Sequence, residues 1–227
     1  MTTDSKRALD IVRTLQNFYP QADCTLEFEY TWQLVIAAIL AAQCTDARVN
    51  IITADLFVKF PDLSSFASAS QEEMEQAIKS CGLYRNKAKA IIACCNMLLD
   101  KHDGEVPQDM ESLLELPGIG RKIANLVLGD SFKIPAVVVD THCARITNLL
   151  GLTSYKEPAK IEQDLMKLLP EEWWISWGHL MVAHGREICK ARQPACDRCP
   201  VALLCSYAVG SINSDTISRT ISEGASE

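Results

Sequence analysis

Nearly every stretch of this chain repeats its apolar residues at three- and four-residue intervals, a pattern that an α-helix gathers into one buried face. Ala8, Leu9, Val12, Leu15 and Phe18 follow it up to a stop at Pro20. Ser70 and Glu73 have the spacing of a capping box and open a helix expected to end near Gly82. Similar patterns predict helices near 31–43, 46–59, 86–100, 109–116, 121–130, 141–150, 158–169 and 172–188. Period-two alternation is nearly absent, the run Ala136-Val137-Val138-Val139 being the sole extended candidate. The expected fold class is all-α. No repeat of twenty to fifty residues points to a solenoid.

With 227 residues, 48% of them hydrophobic, the chain is long enough for one sizeable core or two small ones. No run approaches the ~18 apolar residues that span a bilayer, and the N-terminus leads into an amphipathic pattern instead of a signal-peptide stretch. A cytoplasmic protein without membrane contact is expected. Pro135 and the extended run after it make residues 133–139 the preferred crossing between domains, and the serine-rich stretch 211–227 reads as a flexible tail.

Ten cysteines without a secretion signal argue for reduced thiols rather than a disulfide framework. Six of them, Cys24, Cys44, Cys81, Cys94, Cys95 and Cys143, are scattered through helical patterns as small core hydrophobes. The other four, Cys189, Cys196, Cys199 and Cys205, crowd one loop with the spacing C-x6-C-x2-C-x5-C. Arg192, Asp197 and Arg198 make that loop too polar for core. Structural zinc sites usually pair two C-x2-C knuckles across a longer insert, whereas four thiolates in one irregular loop suit a [4Fe-4S] cluster.

Between two helical patterns stands Leu116-Pro117-Gly118-Ile119-Gly120-Arg121-Lys122. Two glycines around one apolar residue allow a tight turn whose amides stay unshielded, and with the positive end of the next helix they can converge on a phosphate without reading sequence. This is a helix-hairpin-helix signal, with Gly118, Gly120 and Arg121 as phosphate contacts. Lys122 falls in the first turn of the second helix and is a candidate nucleophile through its free amine.

Farther on, Val137-Val138-Val139-Asp140-Thr141-His142-Cys143-Ala144-Arg145 sets a carboxylate where an extended segment enters a helix. Asp140 reads first as an N-cap. A cap is also a rigidly held anion, suited to stabilising a developing cation, and His142 is a supporting group beside it.

The formal net charge is −7, which excludes a protein basic over its whole surface. Lys79, Arg85, Lys87 and Lys89 nonetheless fall together with no acid between them, and Arg121-Lys122 and Arg186, Lys190, Arg192 and Arg198 form two further basic spots. Such spots allow a few salt-sensitive phosphate contacts.

The hairpin, the Val-Asp-Thr-His segment and the cysteine loop, in this order and separation, resemble the endonuclease III family from about Thr31 to Cys205. That resemblance implies a six-helix barrel domain at 24–135, and a cluster domain joining 1–23 to 136–210. It places the active site in the groove between them, with Lys122 as nucleophile and Asp140 as essential carboxylate. Leu40-Ala41-Ala42-Gln43-Cys44-Thr45-Asp46 is similar to the family segment whose glutamine fills the gap left by a flipped nucleotide, and Gly82-Leu83-Tyr84 to the loop whose leucine wedges into the duplex. Gln43 capping its helix and Leu83 packing after a helix-ending Gly82 are the structural alternatives. Lys190 and Arg192 are expected to meet phosphates. The implied activity is that of a monomeric DNA glycosylase and abasic-site lyase acting on oxidised pyrimidines in damaged double-stranded DNA. A monofunctional adenine or mismatch glycosylase, which lacks the lysine, and a non-catalytic iron-sulfur DNA-binding protein are the rivals.

Overall fold

The computed structural model describes residues 2–210; Met1 and the stretch 211–227, where the flexible tail is expected, lie outside the described residues. The described residues divide into two compact units, one formed by Cys24–Ala136 and the other by residues 2–23 together with 137–210. The helices are α1 (Thr3–Phe18), α2 (Thr31–Leu40), α3 (Asp46–Lys59), α4 (Leu63–Ser68), α5 (Gln71–Ala77), α6 (Tyr84–His102), α7 (Met110–Glu115), α8 (Arg121–Asp130), α9 (Thr141–Leu149), α10 (Pro158–Leu168) and α11 (Trp174–Glu187), with short 3-10 turns at Glu171–Trp173, Cys196–Arg198 and Ala202–Leu204. No strand is formed among the described residues. No helix among them is long and apolar enough to cross a membrane.

The middle unit is built around α2, whose residues from Leu34 to Leu40 are all buried. A helix apolar on every side has to be the centre of its unit, and α3, α6 and α8 pack against it. Trp32, Phe57, Phe60 and Phe66 close one end with edge-to-face and tilted ring contacts. Three elements differ from the sequence reading, one of them α5, which ends at Ala77 and not near Gly82. The helix expected over 31–43 stops at Leu40, because Gln43 takes φ +55°, a left-handed conformation that no helix continues through. Helix α4, absent from the periodicity, forms because Asp62 and Ser65 cap it reciprocally and Leu63 and Phe66 are buried. Its six residues are too few to show a period.

In the other unit α1 buries Ala8, Leu9, Ile11, Val12 and Leu15 against α10 and α11. The run Ala136–Val139 forms no strand and serves as a connector in which Ala136, Val137 and Val139 are buried. Val138 lies against Gly178 of α11 so closely that a Cβ there would sit 3.3 Å from the valine Cβ.

Candidate functional site

In the middle unit the hairpin joins α7 to α8. Leu116 ends α7 in extended backbone, Ile119 is buried, and its amide closes the turn by donating to the Leu116 carbonyl at 3.1 Å. The two glycines have different reasons. Gly118 has φ +84°, and a Cβ on it would stand 3.0 Å from the Ala90 Cβ of α6, so both conformation and packing demand glycine. Gly120, the N-cap of α8, has ordinary extended backbone and nothing within 4 Å of where a Cβ would lie. Its missing side chain leaves open the approach to the amides at the start of α8. Arg121 and Lys122 follow, both exposed, in the first turn. Among the described residues Lys122 has no hydrogen-bond or ion-pair partner.

Gln43 and Leu83 are both exposed, and both take positive φ, +55° and +59°. Positive φ is uncommon for glutamine and rarer for leucine, and here it turns both residues out of the adjoining helices. The two loops are neighbours: a Cβ on Gly82 would lie 3.5 Å from the Gln43 carbonyl oxygen. Neither alternative role is seen, since Leu83 is 53% exposed, α2 ends on Ala41 and α3 is capped by Thr45.

The basic spot around this loop is smaller than the sequence reading makes it. Lys87 is 5% exposed and donates inward, to the Leu40 carbonyl at 2.8 Å and to the Cys81 sulfur at 3.0 Å. Helical spacing puts it on the face of α6 that also buries Ala88, Ile91, Cys94 and Cys95, so it is no surface cation. Arg85 is exposed but meets Glu75 at 3.8 Å, an acid remote in sequence and adjacent in space. Lys79 and Lys89 remain exposed.

In the other unit Asp140 is the N-cap of α9, its Oδ1 accepting from the Cys143 amide at 2.7 Å. The residue is half-buried, and its second oxygen makes no hydrogen bond among the described residues. His142 is half-buried with Nδ1 enclosed and unpartnered, its ring so close to Gly185 of α11 that a Cβ there would overlap it. Any nucleic-acid contact of His142 has to come from the other edge of the ring.

Cys189, Cys196, Cys199 and Cys205 line one cavity, about 350 Å³ of empty space including part open to solvent. Its remaining wall is mostly apolar, with Ile146 and Leu150 from the α9 segment and Ile188 and Val201 from the loop. Cys189 follows α11 directly, its amide donating to the His184 carbonyl at 2.8 Å, and the two 3-10 turns carry Cys196, Cys199 and Cys205 at their edges. Two side chains that sequence patterns do not single out serve this loop. Arg145 donates to the Cys189 carbonyl at 2.6 Å and toward its sulfur at 3.5 Å, while His184 Nε2 lies 3.6 Å from the Cys199 sulfur. Burial, with Arg145 nearby, pushes the His184 imidazole down to about 4, so it stands neutral beside the cysteines and meets the Tyr19 hydroxyl through Nδ1 at 3.2 Å. Arg7 ties α1 to the same region through the carbonyls of Leu150, Gly151 and Leu204. No local signal marks these residues, because their partners lie up to 197 positions away. Lys190 and Arg192 are exposed on the loop that follows α11.

Comparison with known proteins places this arrangement. Residues 36–171 match the family model described as HhH-GPD superfamily base excision DNA repair protein. The chain is 46% identical over 212 residues to endonuclease III of Synechocystis sp., covering 93% of this chain and 97% of that one, and 42% identical over 190 residues to endonuclease III of Bacillus subtilis, covering 83% and 87%. A solved structure of a trapped covalent endonuclease III–DNA intermediate superposes with a TM-score of 0.88 at 40% identity, covering 93% of this chain and all of that one.

Proposed function

The chain belongs to the endonuclease III family of base excision DNA repair proteins, bifunctional DNA glycosylases and abasic-site lyases, and we propose that it removes oxidised pyrimidines from duplex DNA, with Lys122 as nucleophile. The observation that carries this reading is the exposed Lys122 side chain, unpartnered among the described residues, in the first turn of α8, directly after a hairpin with open space around Gly120. A monofunctional glycosylase has no use for an amine held there.

The hairpin amides and Arg121 hold the backbone phosphates without reading sequence, and Lys190 and Arg192 add charge from the cluster loop. Leu83 wedges into the stack and Gln43 fills the vacated place, since the sugar C1′ is unreachable inside the duplex. The Lys122 amine attacks C1′ as the damaged base leaves with the electron pair of the glycosidic bond. Asp140, one oxygen committed to the α9 cap and the other uncommitted, stabilises the cationic sugar or takes the proton released by the amine. The ring-closed adduct then loses its C1′–O4′ bond, O4′ taking up a proton, and the nitrogen lone pair forms the protonated imine. This acidifies the C2′ proton, whose removal expels the 3′ phosphate and cuts the strand.

The four cysteines fit a [4Fe-4S] cluster. Tetrahedral zinc at ~2.3 Å from each thiolate draws the sulfurs within roughly 4 Å of one another. Among the described residues no three of these sulfurs gather within 4.8 Å, a spacing wider than a single zinc ion would draw them to. Bound by Cys189, Cys196, Cys199 and Cys205, such a cluster supplies a rigid cross-link of the loop and a one-electron couple. We propose that the protein acts as a monomer.

Incubating the protein with abasic duplex and borohydride tests the central assignment. Wild type becomes covalently trapped, and Lys122→Gln binds the same duplex within a few-fold but is neither trapped nor able to cut it. Normal trapping in that variant overturns the assignment.

A further inference from the structure

The Lys87 side chain makes two buried bonds: its ammonium donates to the Leu40 carbonyl at 2.8 Å and to the Cys81 sulfur at 3.0 Å, while its backbone amide closes the first turn of α6 on the Leu83 carbonyl at 3.1 Å. Leu40 is the last residue of α2, so its carbonyl belongs to the set that a helix leaves without an internal partner, at the negative end of the helix dipole. The Cys81 thiol donates to the same oxygen at 3.2 Å. One side chain therefore joins the residue three positions before Gln43 to Cys81, two positions before Leu83.

A buried ammonium is costly to desolvate, and an apolar residue on this face of α6 would pack beside Ala88 and Ile91 without that cost. Stability alone does not explain the choice. Gln43 and Leu83 both sit in left-handed backbone, a conformation that costs energy and persists only where the surroundings over-determine it. The Gly82 and Gln43 backbones lie in near contact, so what fixes one loop fixes the other.

We propose that Lys87 is a positioning residue for base extrusion: its buried ammonium, bonded to the Leu40 carbonyl, holds the Gln43 loop and the Leu83 loop in register as one double probe. It touches no DNA. The inference rests on the reading of Gln43 and Leu83 as the residues that enter the duplex.

The test compares Lys87→Met, similar in length and uncharged, in the wild-type background and in Gln43→Ala/Leu83→Ala. In folded protein Lys87→Met should lower excision of a base lesion by about 10- to 100-fold, the scale expected for groups displaced by an ångström or less. It should leave the salt dependence of binding to undamaged duplex unchanged, and amide exchange should speed up at residues 41–45 and 81–84 but not in α8. In the double-variant background the same substitution should change excision by less than about twofold, because the probes it serves are gone. Equal losses in both backgrounds, or a flattened salt slope, overturn the proposal, as does wild-type excision by Lys87→Met. If Gln43→Ala/Leu83→Ala itself excises normally, the probe reading has failed and this inference falls with it, a result distinct from the others. Should Lys87→Met not fold, Lys87→Gln, which keeps an N–H donor without the charge, is read in the same two backgrounds with the same outcomes.

Discussion

Arg145 meets Cys189 twice, donating one guanidinium nitrogen to its carbonyl oxygen at 2.6 Å and another toward its sulfur at 3.5 Å. The fork fixes the exit of α11 at the first cysteine, and hydrogen bonds to a ligating sulfur also tune a cluster. Arg145→Leu should cost about 2 kcal/mol through the lost charged hydrogen bonds and the unpaired carbonyl. If Cys189 holds the proposed [4Fe-4S] cluster, loss of iron to a chelator, followed by bleaching of the visible absorbance, should be faster than in wild type. An unchanged bleaching rate would show that Arg145 only packs.

Asp140 supports two roles that substitution can separate. Asparagine retains an oxygen for the Cys143 amide, so Asp140→Asn should keep the cap, while Asp140→Ala loses about 1 kcal/mol of stability. Both should lower base excision by about 10²–10⁴-fold, the range for loss of a positioned acid-base or electrostatic group. Full excision by the asparagine variant would leave Asp140 as a cap and nothing more.

Binding to DNA is expected to be modestly salt-dependent despite the net charge of −7. With Lys87 buried and Arg85 beside Glu75, the exposed cations at the hairpin and on the cluster loop neutralise roughly three to five phosphates, giving a slope of log K against log salt near −3 to −5. Neutral amides do not contribute to it. Arg192→Ala should flatten the slope by about one unit, and Leu83→Ala should leave it alone while weakening lesion engagement. A wild-type slope near zero would remove these cations from the interface.

Burial pushes the thiols of Cys94 and Cys143 up to about 12, against an ordinary value near 8.5 in the unfolded chain. A raised folded value means that between about pH 9 and 12 the folded state keeps protons the unfolded state has released. Stability then falls as pH rises, by about 1.4 kcal/mol per pH unit for each thiol. Cys94→Ala should make chemical unfolding measured from pH 8 to 10.5 less steeply pH-dependent by that amount. An identical pH profile would show that the buried thiols are not the cause.

Helical class, the order of the hairpin, Asp140 segment and cysteine loop, and the cap at Ser70 were all legible in the chain, because each is written in residues a few positions apart. Periodicity of 3.6 needs one turn, a capping box needs four residues, and Gly118 announces its turn by its own type. Cys189, Cys196, Cys199 and Cys205 are likewise near neighbours in sequence. What the tertiary structure decided is which way a residue faces and what meets it from elsewhere. Lys87 stands in a basic run yet is turned inward, because α6 lays that face on the end of α2, 47 residues earlier. Arg145 and Arg7 find their partners 44 and up to 197 residues away. Gln43 and Leu83 become one feature only when Gly82 comes to rest against the Gln43 carbonyl. Local sequence carries local hydrogen bonding and the choice of a buried face. It carries no record of the second surface against which that face will pack, and the positioning groups of this protein are defined by that second surface.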